Sequence, residues 1–264
     1  MFSVEPKVPD FIVDQADWLL LMAVLLPPAA LDDLGPVVEE RTVATPYGKV
    51  GPLALRRMPG GPSVWIQPYT GAPSHSDPRA TIIAACALGV RNVLVWDQVV
   101  ALNPVLPRGQ VAVVADYMDF SNQPNSFAGK LPSLPLGPDL PPRAVCPRLT
   151  ANLRAAAPFA VDIVYLGVDG PRRETPAEAR LFRQWGADVV GHNVLPEAAL
   201  AQEAGLCFAA LVTVGYLSAD RSAQESQGEM RASLNATLAV LPHALKLGMN
   251  GECDCRGPHY EATW

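Results

Sequence analysis

The stretch Thr175-Pro-Ala-Glu-Ala-Arg-Leu-Phe-Arg-Gln-Trp-Gly-Ala-Asp-Val-Val-Gly191 decides the fold class. Thr175 reads as a helix N-cap, Pro176 as a first-turn residue and Glu178 as the acid that closes a capping box. The helix runs to Trp185 and stops at Gly186, and Asp188–Gly191 follows as a short apolar strand. The same alternation recurs on both sides. Arg79–Leu88 reads as a helix that stops at Gly89, and Pro196–Ala204 as one that stops at Gly205. Met230, Leu234, Leu238, Leu241 and Leu245 mark one face of a last helix, with Pro242 as a possible kink.

Between the helices lie short runs rich in Val, Ile and Leu: Trp18–Leu26, Ser63–Gln67, Asn92–Trp96, Val111–Ala115, Asp162–Leu166 and Cys207–Val214. Continuous apolar runs suit strands buried on both faces, so the pattern predicts a three-layer α/β domain. Residues 131–147 hold six prolines and are expected to form a long loop. No repeat or linker divides the chain. One domain is expected over 1–264, with 249–264 as a peripheral tail.

Composition excludes several function classes. Apolar residues make up 49% and charged residues 17%, which argues against disorder, and a chain of 264 residues buries roughly 70–75% of its unfolded surface. The net charge of -6 and the lack of a Lys/Arg cluster disfavour a nucleic-acid partner. The longest apolar run, Trp18 to Leu26, is shorter than the ~20 residues of a membrane span, and the acidic residues before it do not suit a signal peptide. Five irregularly spaced cysteines suit reduced thiols and a cytoplasmic setting. Cys253-Asp-Cys255 with His259 lacks the paired spacing of structural zinc sites, so no metal is expected.

Two ordered segments carry a family pattern. The first is Ala80-Thr-Ile-Ile-Ala-Ala-Cys-Ala-Leu-Gly-Val-Arg-Asn-Val-Leu-Val95, followed by Leu106-Pro-Arg-Gly109 and Gln123-Pro-Asn-Ser-Phe127. The second is Asp169-Gly-Pro-Arg172, Glu174–Glu178, Trp185–Gly191 and Pro196–Ala201, with Thr45-Pro-Tyr-Gly48 upstream. Together they resemble the trimeric purine nucleoside phosphorylases and methylthioadenosine phosphorylases over roughly residues 18 to 245. The resemblance implies a mixed twisted sheet with a barrel-like core flanked by helices, and usually a homotrimer. It implies cleavage of a purine nucleoside by phosphate, with no metal or redox cofactor.

Set against that family, several reactive turns are altered. The glycine-rich turn after the first strand is here Leu26-Pro-Pro-Ala-Ala30, in which two N–H donors are lost. The Arg-His-Gly turn is replaced by Pro68-Tyr-Thr-Gly71, and His75 and Arg79 are the nearest cations, either of which also suits a cap or flank of the next helix. The third phosphate element reads Trp96-Asp97-Gln98-Val99-Val100. A carboxylate at about 4 Å from phosphate costs roughly 4 kcal/mol at an effective dielectric of 20. These changes put phosphate as co-substrate in question.

The expected ligand is a small nucleoside-like molecule. Asp97 and His192 are the expected catalytic residues, Asp97 as a base that activates water beyond a strand end and His192 at the family's sugar site. Tyr69, Thr70, His75, Trp96, Arg173, Glu174, Asn193, Glu197, Tyr216 and Ser218 are the expected substrate contacts. Tyr69, Trp96 and Tyr216 would wall a ring pocket. Structural roles compete at several of these positions: core packing for Trp96, helix-start electrostatics for Glu197, and a surface or capping carboxylate for Asp97. A nucleoside-cleaving enzyme, hydrolytic or phosphorolytic, is one reading, and a non-catalytic ligand-binding or assembly homologue is the alternative.

Overall fold

The computed structural model describes residues 16–68, 77–127, 143–221, 227–253 and 255. Its strands are β1 (Trp18–Ala23), β2 (Val37–Thr45), β3 (Gly48–Arg57), β4 (Ser63–Gln67), β5 (Asn92–Ala101), β6 (Val111–Phe120), β7 (Val161–Val168), β8 (Val189–Gly191) and β9 (Cys207–Leu217). The helices are α1 (Pro78–Ala87), α2 (Pro147–Ala156), α3 (Pro176–Gln184), α4 (Glu197–Glu203) and α5 (Gln227–Leu247), with a 3-10 turn at Pro28–Leu34. The strands form one mixed sheet in the order β2-β3-β4-β1-β5-β8-β7-β6-β9. Pairing of β5 with β9 closes the last five strands into a barrel.

The apolar runs are buried on both faces, as expected. Along β1, Leu19 and Leu21 join the core under α1 and α4, whereas Trp18, Leu20 and Met22 join the core under α2 and α5. Period-two alternation thus divides each central strand between two helical layers. The capping box of α3 forms as read: Thr175 accepts from the Glu178 amide, and Glu178 from the Thr175 amide. Arg172 clamps Glu178 with two bonds of 2.8 Å, which gives it a structural role.

Four expectations are corrected. The first strand ends at Ala23, because Pro27 leads the chain into the 3-10 turn rather than onward as strand. The β2–β3 hairpin is additional; Glu39-Glu40-Arg41 interrupts β2, and the longest apolar stretch in β3 is Leu53-Ala54-Leu55, so neither carries a long apolar run. Strands β5, β6, β7 and β9 run two to five residues further than expected, because their ends go on pairing within the barrel: Gln98–Ala101 with β9, and Asp116–Phe120 with Val164–Val168. Helix α2 opens at Pro147, the last proline of the supposed loop, and Pro at the first helical position is favoured.

Candidate functional site

A cleft of about 380 Å³ opens where β1, β5, β8 and β9 approach the loop after β7. Ala23 and Leu25 form one side of it, and Gln98 and Val100 of β5 form its floor. Gly191-His192-Asn193, leaving β8, faces Gly170-Pro171 and Arg173, and Tyr216 of β9 closes the end.

His192, Arg173 and Gln98 in the wall are each held by specific contacts. The His192 ring lies against Gly170, where an added Cβ would stand 3.1 Å from the ring. Nδ1 of His192 lies 2.9 Å from the Val168 carbonyl. Only a protonated Nδ1 donates to a carbonyl, so in the neutral ring Nε2 is the acceptor nitrogen. Arg173 bonds the Leu217 carbonyl at 2.8 Å and lies over the Tyr216 ring at 5.2 Å. Gln98 packs so closely on Gly215 that a Cβ there would meet its side chain at 2.5 Å, and its amide approaches Met230 sulfur at 3.9 Å.

Asp97 stands inside β5 rather than beyond its end, and strand alternation turns it away from Gln98 and Val100 toward the barrel interior. It is fully buried. Its Oδ1 accepts from Asn193 Nδ2 at 2.7 Å and from the Gln98 amide at 2.8 Å, and its Oδ2 accepts from Tyr165 Oη at 2.9 Å. The Asn193 amide donates back to Tyr165 Oη at 3.2 Å. Burial pushes the Asp97 carboxyl up, against the opposing pull of Asn193, Tyr165, the Gln98 amide and His192. Burial, with the Asp97 charge beside it, holds the Tyr165 phenol well above its ordinary value. The carboxylate is therefore an internal anchor for Asn193, and the expected role as water-activating base beside the ligand does not fit its position.

Other expected residues are also placed away from the cleft. Trp96 is buried in the core under α2 and α5, with Nε1 bonded to Thr213 Oγ1 at 3.1 Å. Ser218 is buried and donates to Asp220 Oδ1 at 2.7 Å within an Arg183–Asp220 ion pair. Glu174 lies behind Arg173, accepting from it at 3.3 Å and from the Ala219 amide at 2.9 Å. Glu197 opens α4 outside the cleft wall, and burial, with Asp97 and Asp119 nearby, raises its carboxyl to about 7. Tyr69, Thr70 and His75 fall outside the described residues.

The sequence reading missed Gln98, Tyr165 and three glycines at 170, 191 and 215. Alternation along β5 past Trp96 is the signal that marks Gln98 as cleft-facing. Arg79, one of the nearest cations named above, and Arg56 are both committed elsewhere. Arg56, 7% exposed, holds the Leu31 and Gly35 carbonyls at 2.8 and 2.7 Å. Arg79 forks onto Asp77 and stacks over Tyr47 at 4.4 Å.

This geometry has known counterparts. The sequence pattern of the phosphorylase superfamily matches residues 23–246. A probable S-methyl-5'-thioinosine phosphorylase of Methanothermobacter thermautotrophicus is 30% identical over 197 residues, 72% of this chain and 68% of that protein. One of the same name from Methanosarcina acetivorans is 32% identical over 239 residues, 83% of this chain and 88% of the relative. Among solved structures, methylthioadenosine phosphorylase from Schistosoma mansoni in complex with tubercidin superposes with a TM-score of 0.76 at 24% identity, covering 89% of this chain and 93% of that one. That likeness is one of fold, including the closed five-strand barrel and its helices. With the superfamily pattern spanning nearly the whole described fold, the chain belongs to the phosphorylase superfamily, among the purine nucleoside and methylthioadenosine phosphorylases.

Proposed function

We propose that the chain cleaves the N-glycosidic bond of a purine nucleoside or a 5'-methylthio purine nucleoside in the cleft beside His192. The observation that carries this is the pairing of a ring-sized aromatic and cationic wall, Tyr216 under Arg173, with a polar end built from His192, Asn193 and Gln98. The wall suits a purine face, and the polar end suits sugar hydroxyls. In the reaction the purine leaves with the electron pair of the C–N bond, and a nucleophile bonds the oxocarbenium-like anomeric carbon. His192, with Nδ1 committed to Val168, offers Nε2 to a hydroxyl or to the incoming nucleophile.

The names of the relatives favour phosphate as that nucleophile. A second reading, in which water replaces it, is favoured by the turn after β1. There Leu25 is 78% exposed at the cleft rim, Pro27 has no N–H to give, and Arg56 is occupied with backbone carbonyls. Release of free base from purine nucleosides, methylthioadenosine and methylthioinosine, with and without phosphate, tests both. Phosphate-dependent release that yields a pentose phosphate supports the first, and phosphate-independent release of free pentose supports the second. No release from any of them overturns the proposal and leaves a ligand-binding homologue. A homotrimer belongs to the same reading. It is supported by the stacked Phe120 and Trp185, 50% and 46% exposed, and light scattering on the full chain tests it.

A further inference from the structure

Four of the five cysteines meet at the end of the molecule remote from the cleft. Cys146 is the N-cap of α2, Cys207 is the first residue of β9, and Cys253 and Cys255 follow α5. Their four Sγ atoms all lie within 4.8 Å of one another, and Cys207 and Cys253 approach to 3.1 Å. A tetrahedral zinc thiolate site has Zn–S bonds of about 2.3 Å, which sets its sulfurs about 3.8 Å apart. The cluster brackets that spacing. The chain alone conceals the set: Cys253-Asp-Cys255 supplies two ligands, and the fold brings the other two from 46 and 107 residues upstream of Cys253.

We propose that Cys146, Cys207, Cys253 and Cys255 form a structural zinc site that ties the segment after α5 to the start of β9 and the cap of α2. An all-sulfur tetrahedral donor set selects zinc over hard cations such as magnesium or calcium. Four thiolates around Zn²⁺ carry a net charge of about -2, and the surroundings offset it. Arg148 Nη2 donates to Cys207 Sγ at 3.5 Å, and Arg143 Nη1 lies 4.0 Å from Cys255 Sγ. Arg148 is itself fixed by Asn92 Oδ1 at 2.9 Å and by the Gly248 and Asn250 carbonyls, so the cation is held in place. The α2 N-terminus adds a favourable field at Cys146. All four ligands come from the protein, so no coordination position is left for substrate. Nine residues of β9 separate Cys207 from Tyr216, about 30 Å at ~3.3 Å per residue, which places the site far from the cleft. Its role is to hold the fold together.

The full chain, purified without chelator, tests this directly. Elemental analysis and native mass spectrometry are expected to give about one zinc per chain. Thiol titration of the folded protein is expected to reach at most Cys86, whose thiol burial pushes up to about 12, and an organomercurial to release the zinc and expose the other four. Cobalt added to metal-stripped protein is expected to give a thiolate-to-cobalt charge-transfer band with tetrahedral d–d absorption. Cys255→Ser is expected to lower zinc content at least tenfold and to lower the melting temperature. Should that variant fail to fold, the stripped and cobalt-loaded wild type gives the same answer. A chain that binds neither zinc nor cobalt and titrates five thiols overturns the proposal. So does a mass lower by four hydrogens, which would make the cluster a pair of disulfides.

Discussion

Replacing Asp97 separates the two roles that a buried carboxylate in this fold can have. In Asp97→Ala, Tyr165 Oη, Asn193 Nδ2 and the Gln98 amide all lose their acceptor. A buried donor left unsatisfied costs about 1–3 kcal/mol, and relief from burying the carboxylate offsets part of that, so a net loss of about 3–5 kcal/mol is expected. For a chain of this size that corresponds to a melting temperature lower by about 10 °C. Asp97→Asn keeps the shape. Its amide oxygen still serves Asn193 and Gln98, but its NH₂ faces Tyr165, which must accept where it now donates. A milder loss of about 1–3 kcal/mol is expected. The pH dependence has a definite sign. Burial raises the Asp97 carboxyl in the folded state, so folding favours its protonated form. That stabilisation is fully present below the unfolded value near ~4 and is lost as pH rises through the folded value. The gap between wild type and Asp97→Asn is therefore widest in acid and narrows toward neutrality. Melting curves at several pH values, with base-release rates taken where both proteins are folded, check this. A general base that touches the reacting water would lose about 10²–10⁴ in kcat on the same change. Unchanged melting with a rate loss of that size would refute the reasoning; a melting shift with kcat within tenfold fits the geometry.

The remaining expectations concern other parts of the site. His192→Gln is expected to lower kcat for base release at least a hundredfold with the melting temperature held within about 2 °C, and Gly170→Ala to reproduce part of the loss by displacing the ring it touches. A large fall in melting temperature for both would instead make His192 structural. Arg56→Ala leaves the Leu31 and Gly35 carbonyls without a donor and is expected to cost about 2–4 kcal/mol, read by urea unfolding, with no change in the phosphate dependence of turnover. Glu197→Gln is expected to raise the melting temperature at pH 8, where the buried carboxylate is charged in both states at a cost to the fold. The gain should shrink below about 7, where burial keeps the folded carboxyl protonated. An equal loss at both pH values would rule that account out.

Much of the fold was legible because local signals agreed with each other. Thr175-Pro176 with Glu178, the stops at Gly89, Gly186 and Gly205, and the apolar runs of β1, β5 and β9 all pointed to strands sandwiched by helices. The β2–β3 hairpin was not legible. Its chain carries Glu39, Glu40 and Arg41 at the outer edge of the sheet, where exposed polar strands give no apolar run. The strand ends were misplaced for a related reason. A charged residue after Trp96 reads as the end of a buried strand, and only long-range partners, Tyr165 sixty-eight residues on and Asn193 ninety-six, make Asp97 acceptable inside one. Ser218 looked like a cleft hydroxyl until Asp220 and Arg183 claimed it.

Asp97 and the cleft are nevertheless connected, and Gly191 shows how. A Cβ at residue 191 would stand 2.4 Å from Tyr165 Oη and 2.8 Å from Asp97 Oδ2, so glycine is needed there for space. That space lets β8 pass directly over the Tyr165–Asp97 pair, and the next residues out of the strand are His192 and Asn193. Asn193 is then gripped twice, through its amide by Tyr165 and through Nδ2 by Asp97. Its Oδ1 is the one polar atom of its side chain that this network leaves for the cleft. A residue picked out by its reactive chemistry thus acts through geometry, and Asn193, picked out only as a neighbour of His192, is the one that lines the cleft. Side-chain type pointed to this region of the sequence, and the division of labour within it follows from which face of β5 each residue occupies.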